Sequence, residues 1–542
     1  MTHKWSVDRR QFLAGSVGAL GSAFFARMPL DAMDTRLAPP QSRSWDAGLV
    51  RHLLPTVSDS RILLKASFER PLAEAPTLRI GARGFPGRSN DTLRECWQFY
   101  ATDLEAGRTH SLSLVGADGT SLCEPWTLST FPPTDARPER FRVLFFTCAG
   151  GPGGTYTGIG ERTGFLPAPI RSRLLRRALS FAPDAAVANG DHIYWDLHRW
   201  EGALTGSLSP NAERSQFDFS ASVLGTSNEA ALKLAAAPQI VPVYGADFRS
   251  TPVFFLQDDH DHWENDAAGA FPVAWFQLQL ARATQQLYYP EFLPEATRPA
   301  GLPWSSSSER GDVSESFGTM RYGRLAEILL YDVRRTMSLG PSAVFVDLSV
   351  EEWLQQRTAS PEVTHLVHAP SNPLGWSAGK WGEWYPDFLD PATQALGTSV
   401  PKPYWQEGWL RQHDRLVASM AAMRSRPPLV VSGDLHAVGL ARMLRSGTLD
   451  LSANPVTAVL SGPVGTSPAG FPSVVRGVGP TPPSHLDLDE VVRPIEQHGF
   501  SLVDFLADRI VVRLFRWDAN SQPLEAIDRL DPFLTSELRG PA

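Results

Sequence analysis

Four short motifs, far apart in the chain, carry the residue types that bind metal ions. The motifs are Thr147-Cys148-Ala149-Gly150, Gly190-Asp191-His192-Ile193-Tyr194, Asp258-Asp259-His260-Asp261 and Gly433-Asp434-Leu435-His436. Carboxylate oxygens suit hard divalent cations, whereas thiolate, imidazole and phenolate suit transition metals such as iron. The four motifs together therefore predict a site for cations of both kinds.

Cations of these kinds, held close together, favour hydrolytic chemistry. A carboxylate has two oxygens, so a single aspartate can hold two cations together. Two cations about 4 Å apart can bind both the attacking and the leaving oxygen, and they lower the pKa of a water molecule from about 16 toward about 7. Hydroxide shared between the metals would then be the nucleophile, and no covalent enzyme intermediate is required.

Strands that alternate with helical segments are predicted to position the motifs. Apolar runs at 142–147, 185–188, 253–256 and 429–431 each lead into one of the four motifs. Residues 169–181 carry apolar residues at helical spacing, which predicts a β-α-β unit. Because the carboxyl ends of parallel strands converge on one crevice, the motifs should meet there. The predicted fold class is a layered α/β (α+β) β-sheet core flanked by helices.

The first part of the chain has a different pattern of apolar and turn residues. Short strand-like pieces separated by turn residues predict a small all-β sandwich of immunoglobulin or fibronectin type. The pieces are 61–68, 77–82, 96–101, 110–115 and 126–131.

The chain is therefore divided into three segments. Residues 1–38 are predicted to be an export signal and linker, 45–134 the sandwich and 139–535 a catalytic domain that contains the four motifs. The long inserts 197–249 and 359–407 are either loops over the site or packed structure.

The N-terminus resembles a twin-arginine export signal. Arg9 and Arg10 precede an apolar, small-residue stretch at 14–26, as such signals do. A membrane-spanning helix needs about 20 apolar residues, and this stretch is shorter. We therefore expect the twin-arginine machinery as a partner, a periplasmic or extracellular location and no stable membrane span after processing.

The net charge and the cysteines limit the possible partners and disulfide bonds of the protein. The chain of 542 residues has a formal charge of −8, without a long run of lysine or arginine, which excludes nucleic acid as a partner. An oxidising compartment would favour pairing two of the three cysteines. Cys96 and Cys123 lie in the same predicted domain, and their pairing is a hypothesis that leaves Cys148 over.

The motifs resemble those of the alkaline phosphatase D (PhoD-like) family of metallophosphoesterases, over residues 141–517. The family patterns are apolar-strand-Ser/Thr-Cys, Gly-Asp-x-x-Tyr, Asp-Asp-His-acidic and Gly-Asp-x-His, and the four motifs match them in that order. An Asp-x-Arg pattern is matched at 332–334, and Glu352-Trp353-Leu354 lies where the family has Gln-x-x-Trp-Leu. Family members also carry a small β domain first. The resemblance implies a metallophosphoesterase-type fold.

The resemblance also implies a set of metal ligands. Cys148, Asp191, Tyr194 and His436 would hold iron (Fe³⁺), and Asp191 would bridge to calcium (Ca²⁺) or another divalent metal. The second position would be completed by Asp259, Asp434 and Asn265.

Other residues beside the motifs would act on the substrate. His260 would protonate the leaving alkoxide or bind a phosphate oxygen, and Arg334 or Arg335 would bind phosphate bidentately. His192 stands where relatives often have Tyr, and is expected to contact the substrate. Asp261 replaces a more usual Glu. These two departures leave the family's substrate preference open for this chain.

Three functions remain compatible with the sequence. The first is an exported phosphomonoesterase or phosphodiesterase acting on phosphate esters. The second is a non-catalytic exported protein that binds a wall or extracellular polymer and keeps a structural metal site. The intact ligand set argues against it, because a purely structural site needs no open coordination position. The third is a metal hydrolase that cleaves a different bond.

Overall fold

The computed structural model describes residues 45–151, 165–195, 217–262, 275–305, 311–338, 344–376, 388–389, 396–397, 407–466, 479–483 and 485–540. The predicted export signal and Asn265 lie outside these residues, so both stay predictions. No helix among the described residues has the length and apolar character needed to cross a membrane.

Two four-stranded antiparallel sheets form the N-terminal region. Their strands are β1 (Val50–Val57), β2 (Ile62–Phe68), β3 (Thr77–Ile80), β4 (Arg83–Pro86), β5 (Arg88–Ser89), β6 (Cys96–Ala101), β7 (Thr109–Val115) and β8 (Trp126–Ser129). One sheet has the order β1-β2-β6-β5 and the other β4-β3-β7-β8. This all-β region agrees with the predicted sandwich. Its exact bounds stay a prediction.

Strand β1 was not predicted, and its composition explains why. Seven of its eight residues are buried, so the alternation that marks a half-buried strand is absent. It also contains Pro55, which cannot donate to a ladder and is tolerated here because β1 lies at the edge of its sheet.

Helices and strands alternate through the first two thirds of the remaining chain, and strands dominate its end. The strands are β9 (Arg140–Phe146), β10 (Ala185–Asn189), β11 (Val253–Leu256), β12 (Phe317–Tyr322), β13 (Ala326–Tyr331), β14 (His365–Pro370), β15 (Phe388–Leu389), β16 (Leu396–Gly397), β17 (Leu429–Ser432), β18 (Val438–Ser446), β19 (Leu449–Asp450), β20 (Val456–Ser461), β21 (Leu486–Ile495), β22 (His498–Leu506), β23 (Ile510–Trp517) and β24 (Leu534–Leu538). The α-helices are α1 (Ala168–Leu179), α2 (Ser227–Tyr244), α3 (Trp275–Tyr288), α4 (Leu348–Ala359) and α5 (Glu407–Ala421). Short 3₁₀ turns span His260–His262 and Leu524–Arg529.

Two mixed sheets form the core of this region. The first has the order β11-β10-β9-β22-β23-β24, and β9, β10 and β11 run parallel. The second has the order β12-β13-β14-β17-β20-β18-β19, with β13, β14, β17 and β20 parallel and β21 paired to β18. A bridge between Thr147 and Pro463 joins the ends of β9 and β20.

Helices cover each sheet with apolar residues. Helix α1 begins with a proline in its first turn, where the missing N–H costs nothing, and buries Leu174 and Leu175 against the first sheet. Helices α2 and α3 contribute to the same core, whereas α4 and α5 pack on the second sheet. The predicted layered β-sheet core flanked by helices is confirmed.

Candidate metal centre

Parallel strands bring the candidate ligands to one edge of the two sheets. In the first sheet, Cys148, Asp191 and Asp259 follow the carboxyl ends of β9, β10 and β11. In the second sheet, Asn372 and Asp434 follow the ends of β14 and β17. The crevice at the ends of parallel strands is the usual ligand site of such sheets.

The backbone at this edge has conformations that few residues adopt. Four candidate ligands have φ in the left-handed region, namely Cys148 (51°), Asp191 (60°), Asp434 (68°) and His436 (50°). Gly433 lies so close to the end of β10 in the first sheet that a Cβ there would be 2.3 Å from the carbonyl oxygen of Asn189. Non-glycine residues in such conformations cost free energy and concentrate at functional sites. The strain therefore supports a functional role for this edge.

A thiol, a phenol and an imidazole surround one carboxylate. The Sγ of Cys148 is 3.3 Å from Oδ2 of Asp191, and the hydroxyl of Tyr194 donates to the same oxygen at 3.0 Å. The Tyr194 oxygen is also 3.2 Å from Nε2 of His436. All four side chains are buried. This donor set, which we call the mixed-donor position, fits an ion that accepts sulfur, nitrogen and oxygen ligands.

Oxygen ligands alone meet beside it. Asp258, Asp259 and Asp434 each offer a carboxylate oxygen, and these atoms lie within 4.8 Å of one another. The guanidinium of Arg334 donates to Asp258 at 2.9 Å, and it is 3.4 Å from Oδ2 of Asp259. The carboxamide nitrogen of Asn372 donates to Asp258 and to Asp434, at 3.2 Å each. We call this the oxygen position.

Asp191 connects the two positions. It groups with Cys148 and His436 on one side, and with Asp259 and His260 on the other. Its Oδ2 receives the bonds from Cys148 and Tyr194, whereas its buried Oδ1 has no hydrogen-bond partner among the described residues. A buried carboxylate oxygen without a donor is costly unless a cation meets it. The arrangement fits a carboxylate shared by two cations.

Burial makes the charged forms of these groups unfavourable in the protein alone. It raises the pKa of the Cys148 thiol well above its usual value, and the Asp191 charge adds to the rise. Burial likewise raises the pKa of Asp191 and that of the Tyr194 phenol, and it lowers the pKa of His436 to about 4. A bound cation reverses this preference, because it favours thiolate, phenolate, carboxylate and neutral imidazole.

His260 lies between the two positions. Its ring packs on Tyr194 with centroids 4.1 Å apart, and its backbone N–H donates to Asp259 at 2.9 Å. Its imidazole groups with carboxylate oxygens of Asp191 and Asp259. The location suits a group that handles a proton on a substrate oxygen, and it also allows ligation.

Asp261 ties two of the ligand loops together. Its Oδ1 accepts the backbone N–H groups of His192 and Ile193, at 2.9 and 3.0 Å. Its Oδ2 accepts those of Asp191 and Asp258, at 2.8 and 3.0 Å. One buried carboxylate thus fixes the loop after β10 relative to the loop after β11.

Two further buried polar side chains support the loops. Arg171 donates to the carbonyl oxygens of Leu166, Gly150 and Gly151. The Oε1 of Gln239 accepts the backbone N–H groups of Gly151 and Tyr194, at 2.9 Å each.

The structure places two predicted substrate-binding residues away from the cluster. The His192 ring contacts the Leu256 carbonyl oxygen at 2.7 Å and packs on Phe255 and Tyr289. The Arg335 guanidinium pairs with Glu315 and Asp332 and is fully buried. Their expected contact with the substrate stays a prediction.

The proposed pairing of two cysteines is wrong in this structure. Cys96 and Cys123 are both free and buried. Cys96 begins β6 in one sheet, whereas Cys123 precedes β8 in the other. Each packs as a small apolar residue.

Sequence reasoning missed Asn372. Asn372 follows β14, which was hidden in the supposed insert 359–407. The strand contains two buried histidines, His365 and His368, and therefore lacks the apolar run that marked the other strands. Had β14 been recognised, the polar residue just after it would have indicated a further candidate ligand.

Comparisons with known proteins agree with this architecture. No family model matches the sequence, and no curated protein does. A solved structure of PhoD has a TM-score of 0.58 at 14% identity, covering 93% of this chain and 92% of that chain. A purple acid phosphatase isolated from yellow lupin (Lupinus luteus) seeds has a TM-score of 0.50 at 11% identity, covering 90% and 73%. At these identities the similarity establishes the fold, and the predicted metallophosphoesterase-type fold is confirmed.

Proposed function

We propose that this chain is an exported, metal-dependent phosphoesterase that hydrolyses phosphate esters. The observation that carries the proposal is the meeting of Cys148, Asp191, Tyr194 and His436 beside Asp259 and Asp434 at one crevice. Residues from four separate strand ends contribute, which packing alone does not require. The fold shared with PhoD and a purple acid phosphatase adds support.

The donor sets fit two kinds of cation. Cys148, Asp191, Tyr194 and His436 would hold iron (Fe³⁺), and Asp191, Asp259 and Asp434 would hold calcium (Ca²⁺) or another divalent metal. Bound cations would supply a nucleophilic water at neutral pH and would neutralise phosphoryl oxygens.

The remaining polar residues have roles that follow from their positions. His260 is assigned the role of donating a proton to the leaving alkoxide, because its imidazole lies at the junction of the two positions. Arg334 balances the charge of Asp258 and Asp259, and it keeps the proposed role of binding a phosphate oxygen.

The proposal includes a cellular location and a domain division. Residues 1–38 would direct export through the twin-arginine machinery to the periplasm or beyond. Residues 45–134 and 139–535 would be the sandwich and the catalytic domain.

Turnover of chromogenic esters tests the function. The full chain is expected to release nitrophenol from p-nitrophenyl phosphate or from bis(p-nitrophenyl) phosphate, and a chelator should abolish the release. Returning the metals should restore it. Metal-loaded protein that hydrolyses neither ester would contradict the proposal and would favour the non-catalytic binding protein.

A further inference from the structure

Asn372 is a buried side chain that the phosphoesterase assignment leaves unused. It lies two residues beyond the end of β14 and is 3% exposed. Its carboxamide nitrogen is 3.2 Å from Oδ2 of Asp258 and 3.2 Å from Oδ2 of Asp434. Its Oδ1 has no hydrogen-bond partner among the described residues. The side chain therefore bridges two carboxylates while its own acceptor stays unsatisfied.

A half turn of the carboxamide changes what this residue offers. The oxygen and nitrogen have nearly the same shape, so rotation about the last side-chain bond exchanges their places. In the protein alone the nitrogen faces the carboxylates, because an oxygen there would be repelled. With a cation between the carboxylates, the oxygen is the favoured atom and the orphaned acceptor gains a partner.

The spacing of the atoms matches one coordination shell. Oxygen ligands lie about 2.3–2.6 Å from Ca²⁺, so two ligands at right angles are about 3.3–3.7 Å apart. The carboxamide atom nearest each carboxylate is 3.2 Å away in the structure. Small adjustments around a cation are enough to reach the ligand spacing.

The charges of the oxygen position favour a neutral ligand. Three carboxylates, from Asp258, Asp259 and Asp434, surround it, and the Arg334 guanidinium pairs with two of them at 3.4 Å or less. Together these groups carry two negative charges, which one divalent cation neutralises. A carboxamide adds a ligand without adding charge.

We propose that Asn372 is a ligand of the oxygen position, and that its Oδ1 turns toward Asp258 and Asp434 when a divalent cation binds. The inference rests on the proposed function, because that function supplies the cation. It goes further by assigning the ligand and by stating which amide atom meets the metal.

Two substitutions separate ligation from simple hydrogen bonding. Asn372→Ala removes the oxygen and should weaken divalent binding by at least the roughly 10–100-fold that loss of an outer-shell partner costs. Asn372→Asp keeps an oxygen but has no N–H to donate. If Asn372 is a ligand, Asn372→Asp binds the cation far more tightly than Asn372→Ala.

The measurement is made on the full chain. Each protein is stripped with a chelator, reloaded with iron and titrated with CaCl₂ or MnCl₂ alone by calorimetry. Iron content, from elemental analysis, should stay at the wild-type level, because Asn372 does not touch the mixed-donor position. Asn454→Ala is the control: that carboxamide donates to the carbonyl oxygens of Ala421 and Met423. Its loss should lower the thermal midpoint without changing divalent affinity.

Failure of this ligand assignment can be told apart from failure of the proposed phosphoesterase function. Wild-type affinity in Asn372→Ala would overturn the inference, and so would weaker binding by Asn372→Asp than by Asn372→Ala. Should the wild type bind the divalent ion with this ranking yet hydrolyse no ester, the ligand stands and the phosphoesterase proposal fails. Should it hydrolyse esters with affinity insensitive to Asn372, the inference alone fails.

Discussion

Cys148 has a pKa far above that of an ordinary thiol and lies among acidic side chains, so its chemistry depends on what else enters the pocket. Burial and the Asp191 carboxylate keep it protonated in the protein alone. A transition-metal ion would reverse that preference, because the thiolate is the form that ligates. The same buried thiol is thus a poor nucleophile in the protein alone, and its role as a metal ligand is part of the proposed function.

Replacing Cys148 should remove metal and activity together. Cys148→Ala is expected to weaken iron binding about 10–100-fold or more, because even outer-shell partners are worth that much. Iron per chain and nitrophenol release are measured on the same preparations. Cys123→Ala is the matched control, since Cys123 is buried in the N-terminal region. It should cost about 1–2 kcal/mol of stability and no iron. Unchanged iron in Cys148→Ala would remove this residue from the ligand set.

Replacing His260 should separate chemistry from metal binding. His260→Gln is expected to lower kcat by about 10²–10⁴-fold, the range that general acid catalysis supplies, while metal content stays at the wild-type level. His110→Gln is the control, since that ring is half-buried on β7 in the N-terminal region, where its Nε2 contacts the carbonyl oxygen of Glu105. Near-normal turnover would refute the catalytic role. Loss of metal in parallel with turnover would make His260 a ligand instead.

Most of the candidate ligands could be predicted from local sequence, but the direction of a side chain could not. Spacing was enough for Asp191 and Tyr194, because they follow one strand and share one loop. It was not enough for His192, which lies between them and turns into the core. Tertiary packing decides which way each loop side chain points, and the local sequence pattern does not predict this direction.

At the scale of elements, parallel strands account for the convergence of the ligands. Neighbouring strands in register, such as β9 and β10, must end at the same edge. Strands β22 and β23 pair antiparallel and form a hairpin that turns near Asp508. Strand β14 could not be predicted in the same way, because His365 and His368 interrupt its apolar residues. The tertiary structure buries both rings, and sequence alone gives no reason to expect it.

Asp261 holds together the two loops that follow β10 and β11. It accepts four backbone N–H groups from two loops, so Asp261→Asn would turn an amide N–H toward backbone donors. The expected cost is about 3 kcal/mol or more in the free energy of unfolding, with lower iron content because both ligand loops lose their anchor. Denaturant unfolding and elemental analysis measure the two effects.

Asp218→Asn serves as the control for that substitution. The Asp218 carboxylate is exposed and accepts only local bonds from Ser220, so its loss should leave metal content unchanged. An Asp261→Asn protein with full iron content would show that the loops hold their geometry without this carboxylate.

At the scale of the whole molecule, the two N-terminal sheets and the two larger mixed sheets belong to one compact unit, Asp46–Ala542. A buried ion pair joins them. Lys65 on β2 is fully buried, and its Nζ is 2.9 Å from Oε2 of Glu291, just beyond α3. The same nitrogen donates to the carbonyl oxygen of Gln286 at 3.0 Å. Buried charges are tolerated only when paired in this way.

Removing one partner of this ion pair should lower the free energy of unfolding more than removing both partners. Lys65→Met leaves Glu291 buried without its cation and is expected to lower the free energy of unfolding by about 3–5 kcal/mol. The double variant Lys65→Met, Glu291→Leu should recover most of that loss. Arg442→Met is the exposed control, because its pair with Asp489 is about half exposed, and should cost less than about 1 kcal/mol. A double variant as unstable as the sum of the single variants would contradict the account.

Anomalous X-ray diffraction tests the central claim most directly. Crystals of the metal-loaded chain are measured on both sides of the iron edge, and the anomalous difference map is inspected at the crevice. The account predicts an iron peak enclosed by Cys148, Asp191, Tyr194 and His436, with a second, iron-free density among Asp259, Asp434 and Asn372. A fully loaded crystal with its metal bound elsewhere, and only solvent at this crevice, would contradict it.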